Sequence, residues 1–501
     1  MIKRPDDRVA FLIRNGAIGL AGVLGAGILV WFIFVRSYNY DETSHAHMTW
    51  LLSIGEVPYR DFAANHFPFL WILLSPIVWA LPHTPLALVL LRFLSLGLNA
   101  IFIAALGFLI CVEQVFRERI WSIVCLGMVV FCPLSLHYLI EFRPDAFANA
   151  LLFSTLAWLR FRNSRSIPTG LISGFCIGAA FLINTKYIPF LFLLGPVAMV
   201  MNANQIRQIW PFALALCAGF GIAVLGGILL MIWIGISLDD AWQMVVVYNE
   251  LAQKARPFGF GLINTLMGNP FWFIYGLTGL VGCTIVFLYQ RRSPGSVMIA
   301  IGLFLLLDLV VTTKPWKQYA VAWLLLAACF QARLLPPFIA KLGPRFQATL
   351  AVGVLIVACI SFELTEIKDT DGGGMDRVSQ DRVMMWISQH VPADGFVVSS
   401  FQMHPVFWRD AIFKTVFDIA PGYGDGLEKF MPTLTRYPDA EQYQPAGYEK
   451  ELELHSPAVI VLNTEYTHSQ IQALNTYLNR HIDAYKEYTV PGTSIQVAVR
   501  N

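Results

Sequence analysis

The chain has 501 residues, of which 56% are hydrophobic and only 14% charged, and its mean hydropathy is +0.59. A soluble globular chain carries about 25% charged residues, so an ordinary soluble enzyme is excluded and a polytopic α-helical membrane protein is expected. The net charge of +2 is too small to suggest a nucleic-acid partner.

Lys3, Arg4, Arg8 and Arg14 precede a first apolar segment at 17–35 that has no small-residue cleavage site behind it. It reads as a retained span with the N-terminus in the cytoplasm. The first loop at 36–66, and with it most of the stretch Tyr38 to Pro68, then faces the outside. It gathers Asp41, Glu42, His45, His47, Arg60, Asp61 and His66, a density of ionisable groups unmatched before residue 360. Residues 43–55 read as a short amphipathic helix with Thr43 or Ser44 as N-cap and Gly55 as its stop. Met48, Leu51 and Leu52 would rest on the membrane surface. Asp41 and His45 are four apart and share a helix face. Two readings stand for the acid pair: complementing the helix dipole, or serving as a general base or a metal–diphosphate clamp. His66 lies where the chain re-enters the bilayer, either contacting a lipid phosphate or resting as an interfacial histidine.

Further apolar segments run at 67–81, 86–112, 120–138, 146–160, 169–184, 187–201, 210–235, 264–288, 296–312, 319–334 and 347–363. The total is about 11–13 spans. All eight cysteines lie in or beside these segments and read as small hydrophobes. Arg160, Arg162 and Arg165 read as cytoplasmic, yet counting both 67–81 and 86–112 as crossings would put them outside. The short 67–81 segment, with two prolines, is the weakest of the spans.

Charges at later span boundaries form four groups. Glu141, Arg143 and Asp145 surround Pro144 and are either functional or a structural pair. Lys186 sits between two apolar runs with almost no loop, as an anion ligand or a snorkelling lysine. Lys254 and Arg256 lie in a loop, and Lys314 and Lys317 precede Tyr319 at a span start. Acids near the first loop and cations at later boundaries suit a diphosphate or phosphodiester lipid held against a base.

After a glycine-rich linker at 364–374 the composition changes. Helical spacing at 375–390 and 468–480, with strand-like 396–400, 458–463 and 494–499, predicts a small α/β domain over 375–501.

The order of motifs resembles the GT-C superfamily of integral membrane glycosyltransferases, most like the bacterial branch of aminoarabinose lipid A transferases and protein O-mannosyltransferases. The resemblance covers roughly 15–335: an acid pair after the first span, G-x-x-P-Y-x-D at 55–61, an R-P-D at 143–145, a T-K at 185–186 and a lysine before Tyr319. It implies a membrane catalytic module over 1–363 and an extracytoplasmic C-terminal domain. The implied reaction moves a sugar from a polyprenyl-phosphate-linked donor to an envelope lipid, glycan or protein, with inversion, on the outer face of the plasma membrane. Asp41 would be the base, Glu42 its helper, and Asp145 would line the same cavity, which turns R-P-D outward. Lys186 and Tyr319 match residues near the lipid phosphate. Arg143, Arg256, Lys314 and Lys317 are donor-phosphate candidates by charge and position, and His66 falls where relatives place an acid–lysine pair. A divalent cation, Mg or Mn, is a candidate on Asp41, Glu42 and His45; no other cofactor is expected. A flippase of lipid-linked saccharides or an O-antigen ligase or polymerase are the competing functions. The first would favour internal repeats, and none is clear.

Overall fold

The computed structural model describes residues 23–62, 64–111, 133–162, 166–185, 206–247, 376–412, 445–462 and 468–501, with a few single positions besides. Helix α1 (Val23–Val35) ends in an elbow of 72° before α2 (Tyr40–Ser53). The elbow is held from the next long helix. Arg92 donates from Nη1 to the carbonyls of Ile33 (2.9 Å) and Arg36 (2.8 Å) and from Nη2 to that of Ser37 (2.8 Å). Its Nε and Nη2 also donate to Glu42 (2.6 and 2.8 Å), so all five N–H groups of a fully buried guanidinium are used.

The cap of helix α2 lies four to five residues before the expected one. Asn39 is the N-cap, in a capping box with Glu42. Gly55, at φ +92, ends the helix as expected. The helix is not laid on a membrane surface: ten of its 14 residues are buried, Met48 and Leu51 among them. On one side His45 accepts from Trp71 Nε1 at 3.3 Å, and on the other the His47 ring meets the carbonyl of Val406 at 2.6 Å.

Helix α3 (Phe69–Trp79) has 11 residues with Pro76 inside. At about 1.5 Å per residue it falls well short of the roughly 30 Å of a bilayer core. Helices α4 (Leu86–Cys111), α5 (Pro133–Ile140), α6 (Pro144–Arg162), α7 (Ile167–Ile183) and α8 (Ile206–Trp233) follow, then the short α9 (Leu238–Trp242). Leu86–Leu106 and Trp210–Trp233 are long and apolar enough to cross a membrane, and α1 with α2 passes as a bent third. The spans expected at 187–201, 264–288 and 296–312 lie outside the described residues, as does most of 319–334 and 347–363.

Helices α7 and α8 run parallel along a seam of small residues. Gly170, Gly174 and Gly178 face Ala215, Gly219 and Ala223 in the same order. A Cβ on Gly170 would come within 2.7 Å of the Phe212 carbonyl, and one on Gly174 would collide with the Leu216 backbone. Glycine there lets two backbones touch where no hydrophobic force separates protein from lipid.

The C-terminal region holds α10 (Arg377–His390), β1 (Phe396–Val398), β2 (Arg409–Asp410), α11 (Pro445–His455), β3 (Val459–Val461), α12 (His468–Arg480), β4 (Tyr485–Thr489) and β5 (Gln496–Arg500). The sheet order is β2-β1-β3-β5-β4, with β1 parallel to β2 and β3 and the remaining pairs antiparallel. Strand alternation sorts its two faces. Val397, Val459, Val461 and Val497 pack with Val383, Met384 and Ile387 of α10, in the cluster that continues into Trp50 and Trp71. Val398, Ile460 and Ala498 pack on Tyr448 and Leu452 of α11 and Leu474 and Tyr477 of α12. The sheet is thus fastened to α2 through one face. The linker expected at 364–374 lies outside the described residues.

Candidate active site at the N-terminus of helix α2

Four carboxylates and three guanidinium groups meet where α2 and α6 begin. Arg143 Nη1 pairs with Asp41 and, at 3.2 Å, with Glu141; its Nε lies 3.6 Å from Asp145. Arg36 holds Glu141 at 2.9 Å, and Asn39 Nδ2 donates to Glu141 at 3.0 Å. Arg92 holds Glu42. Asn184, just past α7, donates to Asp145 at 2.9 Å. Four negative against three positive charges leave the cluster one negative charge in excess.

Local sequence explains the convergence. Asn39 caps α2, so Asp41 falls in its first turn. Pro144 opens α6 and puts Asp145 in that first turn, with Arg143 in the extended link before it. Burial opposes the charge on Arg143, but the carboxylates of Asp41, Glu141 and Asp145 outweigh it and hold its pKa well above the ordinary value.

Exposure divides the acids into two kinds. The side chains of Glu42 and Glu141 are 0% exposed, whereas those of Asp41 and Asp145 are 30% and 23% exposed. Two accessible carboxylates therefore flank one buried cation. Such a pair can take a proton from a hydroxyl and orient it, with Arg143 fixing the spacing.

Asp41, Arg143 and Asp145 are thus brought together. Glu42, expected as a helper of Asp41, faces Arg92 with both oxygens, and one of them also accepts from Asn39 N–H at 3.3 Å. Since Glu42 is turned away from Asp41 and His45, these three do not form a cation cage; among the described residues no group of three or more acids, histidines or cysteines does. Arg143, expected as a donor-phosphate ligand, lies among three carboxylates with 8% of its side chain exposed, its Nη1 on Asp41 and Glu141 and its Nε 3.6 Å from Asp145. His66 stands against His45, ring centroids 5.3 Å apart, and its carbonyl accepts from Tyr59 Oη at 2.6 Å. Lys186, Lys254, Arg256, Lys314, Lys317 and Tyr319 lie outside the described residues. The residues that sequence reasoning missed as part of the site are Arg36, Asn39 and Arg92, although a charge inside the apolar segment 86–112 requires a partner.

No protein-family model matches the chain, and no curated protein does. Solved structures do. ArnT from Cupriavidus metallidurans in the apo state is similar over 97% of this chain and 98% of its own, with TM-score 0.62 and 11% identity. The Archaeoglobus fulgidus oligosaccharyltransferase, tethered with an acceptor peptide containing the NVT sequon, is similar over 98% of this chain and 74% of its own, with TM-score 0.54 and 14% identity. Its apo form gives TM-score 0.52 at 13% identity over 95% of this chain and 73% of that one. Both proteins are GT-C glycosyltransferases, and the chain has their fold.

Proposed function

We propose that the chain is a membrane glycosyltransferase that moves a sugar from a polyprenyl-phosphate-linked donor to an envelope lipid, glycan or protein. The observation that carries this reading is the convergence of the accessible Asp41 and Asp145 on buried Arg143, in a GT-C fold. Asp41 takes the proton of the acceptor hydroxyl as its oxygen attacks the anomeric carbon. The bond to the donor phosphate breaks on the opposite face, inverting the centre, and the polyprenyl phosphate leaves as an anion that needs no general acid. Asp145, steadied by Asn184 and Arg143, orients the acceptor. Arg143 positions both acids. Stabilising the leaving phosphate falls to cations in later segments, for which Lys186, Arg256, Lys314 and Lys317, with Tyr319, remain the candidates. Glu42 has a structural part and no metal-dependent step is assigned.

The geometry supports an outward site. Asp41, Arg143, Asp145 and Asn184 lie at one end of the helices, while α6 runs from Asp145 to Arg160 and Arg162 at the other. If α3 returns without crossing, as its 11 residues suit, α4 leads inward, α5 ends on the outer side beside Asp41, and α6 leads inward again. Arg160 and Arg162 are then cytoplasmic, as the positive-inside rule asks, and the conflict in the span count disappears. The C-terminal sheet, packed on α2, stands on the outer side.

Mass spectrometry of envelope glycans and glycolipids tests the function. A deletion strain is expected to lose a sugar-bearing species that the intact gene restores. An identical profile with and without the gene contradicts the reading.

A further inference from the structure

We infer that Gln380 of α10 is a positioning residue for the reaction at Asp41, clasping the main chain just ahead of it; the inference rests on the reading of Asp41 given above. Tyr38 lies in the non-helical link between α1 and α2, where its backbone groups have no helical partner. One side-chain amide meets both. Tyr38 N–H donates to Gln380 Oε1 at 2.6 Å, and Gln380 Nε2 donates to the Tyr38 carbonyl at 3.1 Å. Only the amides of Asn and Gln set a donor and an acceptor side by side to match a backbone edge in this way. Both residues are buried, so neither bond has water as a ready substitute.

The neighbours make the clasp stiff. The Tyr38 ring lies under the guanidinium of Arg377 at 3.8 Å and beside that of Arg92 at 4.7 Å, and its hydroxyl donates to the Pro85 carbonyl at 3.0 Å. Residue 38 is thereby fixed from α4 and from α10 at once. Asn39, the next residue, caps α2 and accepts from Asp41 N–H at 3.4 Å. Two residues, Asn39 and Tyr40, separate the clasp from the carboxylate. Apolar packing of Trp50 on Phe407 already glues the C-terminal region to α2. A two-point bond to the main chain adds register, and register is what a base needs, since a shift of about 1 Å costs about a hundredfold in rate.

The test uses the full chain in lipid nanodiscs and in the complemented deletion strain, with Gln380→Met, Gln380→Glu and Asp41→Asn. Q380M is expected to speed amide exchange at residues 38–42 while strands β3 and β5 stay protected, and to cut the restored envelope sugar by about tenfold or more. Q380E, which keeps the acceptor for Tyr38 N–H, recovers part of both. Wild-type exchange and transfer in Q380M would overturn the inference, as would exchange rising throughout the C-terminal sheet, which would make the role one of folding. D41N exchanges like wild type in this peptide and loses transfer. If D41N keeps transfer, the base assignment falls, while the exchange pattern of Q380M still reports the clasp.

Discussion

Asp41 and Glu42 are neighbours in sequence and opposites in environment. Glu42 is sealed with Arg92, every N–H of which is satisfied, and together they lock the elbow between α1 and α2. Asp41 keeps 30% of its side chain exposed and shares Arg143 with the similarly open Asp145. One helix turn thus sends one acid inward to hold the fold and leaves the other accessible. Charge alone does not mark a catalytic residue; access does.

The largest expected effect is on the open half. Asp41→Asn removes the base and lowers transfer by about 10²–10⁴-fold, with expression and membrane insertion retained, as read by radiolabelled sugar transfer in isolated membranes. The closed half answers differently. Arg92→Leu strands the Glu42 carboxylate and destabilises the protein by about 3–5 kcal/mol, measured as thermal unfolding in detergent. The double variant Arg92→Leu/Glu42→Leu recovers the part of that loss due to the stranded charge, while the carbonyls of Ile33, Arg36 and Ser37 still lack their donor.

A third effect lies at the seam between α2 and the C-terminal region. His47 and His404 are buried with ring centroids 4.2 Å apart, Asp410 is 3.5 Å from His404 Nε2, and His47 is bonded to the Val406 carbonyl. Burial pushes the His47 pKa down to about 4 and that of His404 well below its usual value. Between about pH 6.5 and 4 the unfolded chain therefore binds protons that the folded chain refuses, and stability falls as pH falls. For His47 alone this amounts to roughly 3 kcal/mol at pH 4. Unfolding temperatures of His47→Gln should decline less steeply than wild type over that range; equal slopes would contradict it. Asp145→Asn is the mildest change, about 10–100-fold in transfer, because Asn184 and Arg143 still hold the side chain in place.

Much of this was legible in the chain. The two accessible acids sit in recognisable contexts, after the first apolar run and in R-P-D, and α10, α12, β1, β3 and β5 coincide with periodic segments. Strand β2 has two residues and carries no period, and β4 with α11 lacks the long apolar pattern that marks an element. The true cap of α2 was written as Asn39-x-x-Glu42, a capping-box spacing that Thr43 and Ser44 obscured. The burial of α2 was not legible at all, because the residues that cover it, Val406 and Phe407, arrive some 359 positions later. The partners of Arg92 were hidden for the same reason, although its need for them was not.

The central claim is that the open acid, not its buried neighbour, does the chemistry. It is tested most directly by initial rates of sugar transfer for Asp41→Asn and for Arg92→Leu/Glu42→Leu, in the same membranes at matched protein levels. The account predicts a rate about 10²–10⁴-fold below wild type from the first and a rate well above that from the second. A wild-type rate from Asp41→Asn, or a rate there above that of the apolar double variant, would contradict it.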